Sequence, residues 1–256
     1  MLEIQLHGKI ALVTGATGQL GRVMVRTLAD CGANVVICYH KNERQAMTLK
    51  EEAEQKYGVR GLAAQVDLVQ PDSVQQLHEQ VLNVFGAPQI LVHSAVSQIK
   101  NCNVLEQPLA DYYNQFETIM IHNVNMVKTF APAMMDQRYG RIIGINTECS
   151  MECRAGGSAY AASKRAMDGL YRSLAKELGP YNITVNQVAP GWTISDRERE
   201  HGDADPDRNY TQKVPMKRRG TDQEIANAVA FLASDLAGFI NGVFLPVCGG
   251  TVMPAI

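Results

Sequence analysis

Two residues that could act together in acid–base chemistry, Tyr160 and Lys164, lie four positions apart in the sequence. Alanine and leucine recur around them at helical spacing, and no proline interrupts before Pro180, so we predict a helix from Ser158 to Leu178. A separation of four places both side chains on one face of that helix. Such a pair, taken alone, is most often an exposed tyrosine and lysine without a role, so its meaning depends on the rest of the chain.

Carbonyl–alcohol interconversion is a reaction that this pair could serve. A nicotinamide cofactor gives a hydride to a carbonyl carbon while an acid protonates the oxygen. Tyrosine, with an ordinary pKa of about 10, suits this role only if its pKa falls to about 7, a change of about 4 kcal/mol. An ammonium group about 4 Å away, at an effective dielectric constant near 20, supplies about that much. We therefore expect Lys164 to lower the pKa of Tyr160.

Two further polar residues are candidates for the same site. Thr147 directly follows the predicted strand 141–146, and its hydroxyl could hold the substrate oxygen. Asn123 falls in a predicted helix over 109–135 and could anchor a water that relays protons. Alternatively, Thr147 merely ends a strand, and Asn123 is a satisfied polar residue in a helix.

Short apolar strands alternate with helices along the whole chain, and this alternation must position the candidates. Strands that are apolar on both faces are typical of a parallel sheet covered by helices. With no repeat or linker to divide it, the chain 1–256 is predicted to be one α/β domain, a doubly wound Rossmann fold with about seven parallel strands. The predicted strands are 10–14, 34–39, 61–68, 89–95, 141–146, 183–189 and 242–247, and the helices are 21–31, 44–57, 71–85, 109–135, 158–178 and 222–234. We expect the helix from 109 to break or bend near Pro132.

A glycine-rich turn, TGATGQLG, follows the first predicted strand. Glycines there allow a tight turn and a close approach of the backbone to a pyrophosphate, with the next helix's N-terminus aimed at the anion. Because the turn joins a strand to a helix at the start of the chain, it favours a dinucleotide over an ordinary glycine-rich turn. The candidate contacts are Gly15, Thr17, Gly18, Gln19, Leu20 and Gly21.

The end of the second predicted strand bears on the choice of cofactor. An acidic residue there would bind the ribose of NAD, but the sequence has Tyr39, His40 and Lys41. Cations suit a 2′-phosphate, so we expect NADP, with NAD as the second candidate; the alternative is a solvated helix start whose charges contact nothing. Asp67, at the end of the third strand, could meet the adenine amino group or simply cap the following loop.

Composition excludes several other classes of function. A net charge of -2 gives no general attraction to nucleic acid or anionic membranes. Six scattered cysteines without a CxxC pair or a histidine cluster indicate free thiols and no metal site. The most apolar run, 225–247, contains Asp235 and Pro246, and the N-terminus has no signal core. We expect a cytoplasmic protein that acts on a small molecule.

These motifs together resemble the short-chain dehydrogenase/reductase family, most closely its branch of 3-oxoacyl-acyl-carrier-protein reductases. TGATGQLG, Tyr160-Ala-Ala-Ser-Lys164, Pro190-Gly191 and GVFLPVCGG follow the family's order and spacing over nearly the whole chain. The resemblance implies an NADP(H)-dependent oxidoreductase for a 3-oxoacyl thioester or other ketone. It implies Tyr160 as acid–base, Lys164 as its pKa-lowering partner and ribose ligand, Thr147 in the usual place of serine, and Asn123 as the relay asparagine. It also implies cofactor contacts from Leu68, Ser94, Ala95, Pro190, Gly191 and the segment Trp192 to Ser195, including Thr193.

The sequence departs from the family pattern at two further places. Gln19 stands where a glycine is usual and could crowd the pyrophosphate, and His93-Ser94-Ala95-Val96 replaces Asn-Asn-Ala-Gly. Val96 would exclude a positive φ there. The charged stretch within about 192–218 is interpreted as a substrate lid or, equally, a solvated loop.

Two other functions stay open: an NAD-dependent sugar or polyol dehydrogenase, and a non-catalytic dinucleotide-binding regulatory protein. Self-association is also expected, since small residues on the 158–178 helix allow close packing and the family resemblance implies a homotetramer or dimer. Packing within the same domain explains part of that pattern equally well. The small residues are Ala161, Ala162, Ala166 and Gly169.

Overall fold

A sheet of seven parallel strands forms the centre of this computed structural model, which describes residues 3–194, 198 and 208–253. The spatial order is β3-β2-β1-β4-β5-β6-β7, so the chain reverses its direction of travel across the sheet between β1 and β4. In open sheets of this kind ligands bind at the reversal, outside the carboxyl ends of the strands. The strands are β1 (Ile10–Thr14), β2 (Asn34–Tyr39), β3 (Gly61–Gln65), β4 (Ile90–His93), β5 (Gly140–Ile145), β6 (Ile183–Pro190) and β7 (Phe244–Val247).

Helices cover both faces of the sheet, because successive strand side chains point to opposite faces. The helices are α1 (Gln19–Asp30), α2 (Glu43–Tyr57), α3 (Pro71–Phe85), α4 (Leu109–Phe116), α5 (His122–Gln137), α6 (Cys149–Glu152), α7 (Ser158–Leu178), α8 (Arg208–Lys213) and α9 (Asp222–Ala233). Ala11 and Val13 join the core beneath α1, α2 and α9, whereas Leu12 joins the core beneath α3, α5 and α7. The predicted doubly wound fold is confirmed.

The irregularity in the predicted helix 109–135 is not at Pro132. A π-helical turn, Glu117–Ile121, separates α4 from α5, and α5 continues through the proline to Gln137. Pro132 is exposed, so water can replace the single backbone hydrogen bond that it removes. At the π turn, the Asn123 side-chain amide donates a hydrogen bond to the Ile119 carbonyl.

Two predicted strands end early, and the residues beyond their observed ends, except Asp67, line the ligand crevice instead. Strand β3 ends at Gln65 and β4 at His93, three and two residues before the predicted ends. Ser195 and most of the charged stretch 196–207 lie outside the described residues. Among the residues that are described, no helix combines the length and apolar character needed to cross a membrane.

Candidate active site

Two adjoining cavities form one groove at the carboxyl ends of the strands. The larger has a volume of about 570 Å³ and lies over β1, β2 and β4; the smaller, about 170 Å³, lies over β5 and β6. Leu20, Ser94 and Val96 line both, which makes the groove continuous. Predicted contacts that line the larger cavity are Gly15, Thr17, Gly18, Gln19, Leu20, Gly21, Tyr39, His40, Lys41, Leu68, Ser94 and Ala95. Those that line the smaller cavity are Leu20, Ser94, Thr147, Tyr160, Lys164, Pro190, Gly191 and Thr193.

The glycine-rich turn fits a dinucleotide because its backbone is packed too closely for side chains. Gly15 has a φ of +62°, and a Cβ atom on it would lie 2.8 Å from the Ala95 Cα. A Cβ on Gly21 would lie 2.1 Å from the Gly15 carbonyl oxygen. The first turn of α1 carries no acidic side chain and its cap, Gly18, makes no side-chain cap bond. Backbone N–H groups at this helix start are therefore suited to an anion such as a pyrophosphate.

The outer end of the larger cavity is cationic. His40 and Lys41 are exposed on its rim, directly after β2.

Asp67 is placed differently from its neighbours. Val66 and Leu68 line the cavity, whereas the Asp67 carboxylate accepts a hydrogen bond of 3.2 Å from the Val69 N–H. The structure thus gives Asp67 the loop-capping contact that the sequence left open as its second interpretation.

Sequence reasoning missed a group of residues that also line the groove. They lie at or just after the ends of strands, as the predicted ones do, but their uncharged side chains did not single them out in the sequence. They are Cys38, Asn42, Val66 and Val96 in the larger cavity and Ile145 and Asn146 in the smaller.

The smaller cavity brings together three of the four predicted catalytic side chains. The Thr147 and Tyr160 side chains line the same cavity, and the Thr147 hydroxyl is close enough to Tyr160 to act on its pKa. The Lys164 Nζ donates to the Ile145 carbonyl at 2.5 Å and lies 5.8 Å from the centre of the Tyr160 ring. The arrangement follows from the fold, because Thr147 lies two residues after the end of β5 and Lys164, on α7, bonds to the last residue of that strand.

The electrostatics of the pair differ from expectation. Burial raises the pKa of Tyr160, the nearby Cys149 thiol adds to that rise, and the hydrogen bond from Thr147 opposes it. Burial also lowers the pKa of Lys164 to about 7. The expected lowering of the Tyr160 pKa by Lys164 is not seen in this arrangement: the pKa is raised, burial is the largest cause, and Lys164 is not among the causes.

Asn123 lies behind this cavity and does not line it. Its side chain is 2% exposed, and its Oδ1 accepts from the Tyr171 hydroxyl and from His93 Nδ1, both at 2.6 Å. An amide oxygen only accepts, so His93 Nδ1 must carry the hydrogen. Burial lowers the pKa of His93 to about 4, which keeps the ring neutral. The histidine that departs from the family pattern therefore braces β4 against α5 and α7.

The other departures from the family pattern are accommodated as well. Val96 is not among the residues with positive φ, so its backbone needs no glycine. The Gln19 side chain is directed across the groove, where Nε2 donates to the Ile194 carbonyl at 2.8 Å.

The described part of the predicted lid docks beside the catalytic residues. The Tyr210 hydroxyl, on α8, donates to Glu148 at 2.8 Å and accepts from the Trp192 N–H at 2.8 Å. Glu148 follows Thr147 and is 2% exposed, and burial raises its pKa. These contacts connect the lid segment to the residue next to the proposed substrate-binding threonine.

A third cavity, of about 440 Å³, opens from the other side of Tyr160. Its wall includes several polar groups: Lys100 Nζ pairs with Asp111 at 2.7 Å, and Gln115 donates to the Ser97 hydroxyl and the Gln98 carbonyl at 3.0 Å each. This cavity offers room for a substrate next to the acid–base candidate.

The chain is similar in sequence to known reductases. Residues 15–252 match a family model described as enoyl-(acyl carrier protein) reductase. The chain is 37% identical to the 3-oxoacyl-[acyl-carrier-protein] reductase FabG of Escherichia coli strain K12 over 98% of this chain and 100% of the relative.

Solved structures give the same fold. A gluconate 5-dehydrogenase from Burkholderia cenocepacia J2315, in complex with NADP and tartrate, has a TM-score of 0.88 at 27% identity over 97% of both chains. An NAD+-bound xylitol dehydrogenase has a TM-score of 0.87 at 27% identity, covering 95% of this chain and 99% of that one. With a family model that spans most of the sequence and a curated relative above 30% identity over nearly all of it, the chain belongs to the short-chain dehydrogenase/reductase family of oxidoreductases.

Proposed function

We propose that the protein reduces the keto group of a 3-oxoacyl thioester or a related ketone, with NADPH as the cofactor. The observation that carries the proposal is that Thr147, Tyr160 and buried Lys164 together line the smaller cavity. A bound nicotinamide cofactor would supply the hydride that the reaction needs. The intact trio favours this activity over a role as a non-catalytic dinucleotide-binding protein.

Each residue of the smaller cavity would have a separate role at the substrate oxygen. The Thr147 hydroxyl positions the carbonyl oxygen next to Tyr160. Because burial raises the pKa of Tyr160, this residue is protonated at neutral pH and can donate its proton as negative charge develops on that oxygen. Lys164 would contact the ribose and stabilise the phenolate that is left. Asn123 would act without contacting the substrate, by holding the π turn behind the cavity. The segment 192–218 would close over the substrate.

Initial rates over a substrate panel test the proposal. With NADPH, we expect a 3-oxoacyl thioester to give a higher kcat/KM than a simple ketone or a keto sugar acid. Turnover of the sugar acid alone would contradict the thioester assignment, and absence of turnover with every substrate, despite NADPH binding, would favour the non-catalytic alternative.

A second candidate, a sugar or polyol dehydrogenase, is favoured by one specific observation. The third cavity beside Tyr160 is lined by the Lys100–Asp111 ion pair and by Gln98, Asn114 and Gln115. These groups match the hydrogen-bonding groups of a polyhydroxylated substrate better than they match a long apolar chain. Its distinguishing result in the same panel is oxidation of a polyol or hydroxy acid with NAD at a rate above any ketone reduction.

The choice of NADP is supported by the cationic rim at the end of β2. Changing both His40 and Lys41 to alanine is expected to raise the KM for NADPH about tenfold, equivalent to ~1.4 kcal/mol, since both cations would face the 2′-phosphate. The KM for NADH should stay within about twofold. Steady-state kinetics at low and at 0.5 M salt measure this, because screening should narrow the difference.

A matched control is Lys128→Ala, which removes an exposed cation from α5, away from the groove. Equal losses with NADPH and NADH in the double variant would contradict the assignment of His40 and Lys41 to the 2′-phosphate.

We also propose that copies of the chain associate. Apolar side chains are exposed along one side of α4, where Leu109, Tyr113 and Phe116 are 70%, 66% and 42% exposed at helical spacing. On α7, Ala162 and Gly169 are exposed, whereas Ala161 is buried within the domain. These surfaces support a symmetric dimer or tetramer.

A further inference from the structure

Gln19 makes a contact that joins the two walls of the groove. It stands in the first turn of α1, beside the glycine-rich turn, and lines the larger cavity. Its Nε2 donates at 2.8 Å to the carbonyl of Ile194, a residue 175 positions further along the chain. Ile194 directly follows Thr193, which lines the smaller cavity. The bond therefore spans the groove where its two halves meet.

The segment on the far side of this bond is held firmly by other contacts. The Arg219 guanidinium donates to the carbonyls of Trp192, at 3.3 Å, and Thr193, at 2.6 Å, and the Ile194 N–H donates to the Gly220 carbonyl at 3.1 Å. Three successive carbonyls after Gly191 thus receive a side-chain donor each, and the third donor is Gln19. The Gln19 bond therefore connects the start of α1 to a segment that has further hydrogen bonds of its own.

The Gln19 side chain reaches this acceptor without disturbing the turn. Gln19 begins α1 and is not among the residues with positive φ, so its backbone conformation needs no glycine. Gly15 and Gly21 differ, because Cβ atoms on them would lie less than 3 Å from backbone atoms. The Gln19 side chain bonds instead to the opposite wall of the groove.

From this geometry, and resting on the dinucleotide binding proposed above, we infer that Gln19 is a retaining residue: its bond to Ile194 fastens the two walls of the groove together and slows release of the bound dinucleotide. An amide that donates to a neutral carbonyl keeps its hydrogen bond without adding negative charge near a pyrophosphate. The bond must open for the dinucleotide to leave, so its strength adds to the barrier for release.

The test measures cofactor release directly. The intrinsic fluorescence of protein-bound NADPH is followed in a stopped-flow instrument while excess NADP+ displaces it. Gln19→Met keeps the length of the side chain but has no donor, and Gln19→Ala removes the side chain. Both variants are expected to release NADPH about fivefold faster than the unaltered protein, the ratio expected for loss of one hydrogen bond of ordinary strength.

The matched control is Gln223→Met, because Gln223 is an exposed glutamine of α9 whose amide bonds to Thr27 and Asn227, outside the groove. Its release rate should equal that of the unaltered protein, and thermal melting should show that all three variants are folded. Unchanged release in both Gln19 variants would overturn the inference. Slower release would overturn it too, since the bond would then obstruct the groove.

The same measurement with NADH separates this inference from the proposed cofactor. If the protein binds NADH but not NADPH, and the Gln19 variants release NADH faster, the proposed NADP preference fails while the role of Gln19 is supported. Binding of neither dinucleotide would overturn both.

Discussion

Replacing Tyr160 with phenylalanine is expected to lower kcat for ketone reduction about a thousandfold. The change removes the only atom of the side chain that can pass a proton to the substrate oxygen, and a positioned general acid typically contributes 10² to 10⁴ in rate. The ring and its packing remain, so the dissociation constant for NADPH should change by less than about twofold. Steady-state kinetics and fluorescence titration of NADPH measure the two quantities separately.

Tyr113→Phe is a suitable control, because Tyr113 is a tyrosine that is 66% exposed on α4. It should retain the full rate. A Tyr160→Phe enzyme that reduces its substrate at an undiminished rate would assign proton donation to another group, and an equal loss of NADPH affinity would indicate a structural effect.

The features that could be predicted from the sequence are those that local sequence patterns determine. Alternating apolar strands and amphipathic helices led to the seven-stranded sheet, and the glycine-rich turn led to the groove. The four-residue spacing of Tyr160 and Lys164 correctly placed both on one wall of the smaller cavity. Each of these inferences uses residues that are close together in the chain.

The inferences that were missed depend on contacts between distant elements. The bond from Gln19 to Ile194 joins residues 175 positions apart, and neither residue type indicates such a bond. The His93–Asn123–Tyr171 cluster joins β4, α5 and α7, so its members could be interpreted singly but not as a unit. The direction of the Tyr160 pKa depends on how completely the cavity is buried, which spacing along a helix does not reveal.

These contacts change the significance of the departures from the family pattern. A histidine that supplies a neutral Nδ1–H to Asn123 Oδ1 meets the same need for a hydrogen-bond donor that an amide side chain at this position could meet. A glutamine that bonds to the opposite wall of the groove is not an obstacle to the turn. Both substitutions are compatible with catalysis, and neither is evidence that the protein has lost its activity.

Burial of the Lys164 side chain should make the free energy of unfolding depend on pH. Burial lowers its pKa to about 7 from the ordinary lysine value of 10.5. Between these values the unfolded chain binds a proton that the folded chain does not, so the free energy of unfolding rises with pH across this window. Below pH 7 both states are protonated and the full cost of burying the charge is present.

Lys164→Met isolates this effect, because methionine has a similar shape and does not titrate. We expect the free energy of unfolding of the unaltered protein, relative to the variant, to rise by about 2 kcal/mol between pH 7 and pH 9. Urea denaturation of both proteins at pH 7, 8 and 9 measures the difference, and titrations of other residues common to both proteins largely cancel. Staying at or below pH 9 keeps tyrosine ionisation out of the comparison.

A difference in the free energy of unfolding that is constant across this range would mean that Lys164 is still protonated at pH 9 when folded. Tyr160 would then have a full positive charge beside it, and the raised pKa derived from its burial would have to be replaced by the lowered one that the spacing of the two residues first suggested.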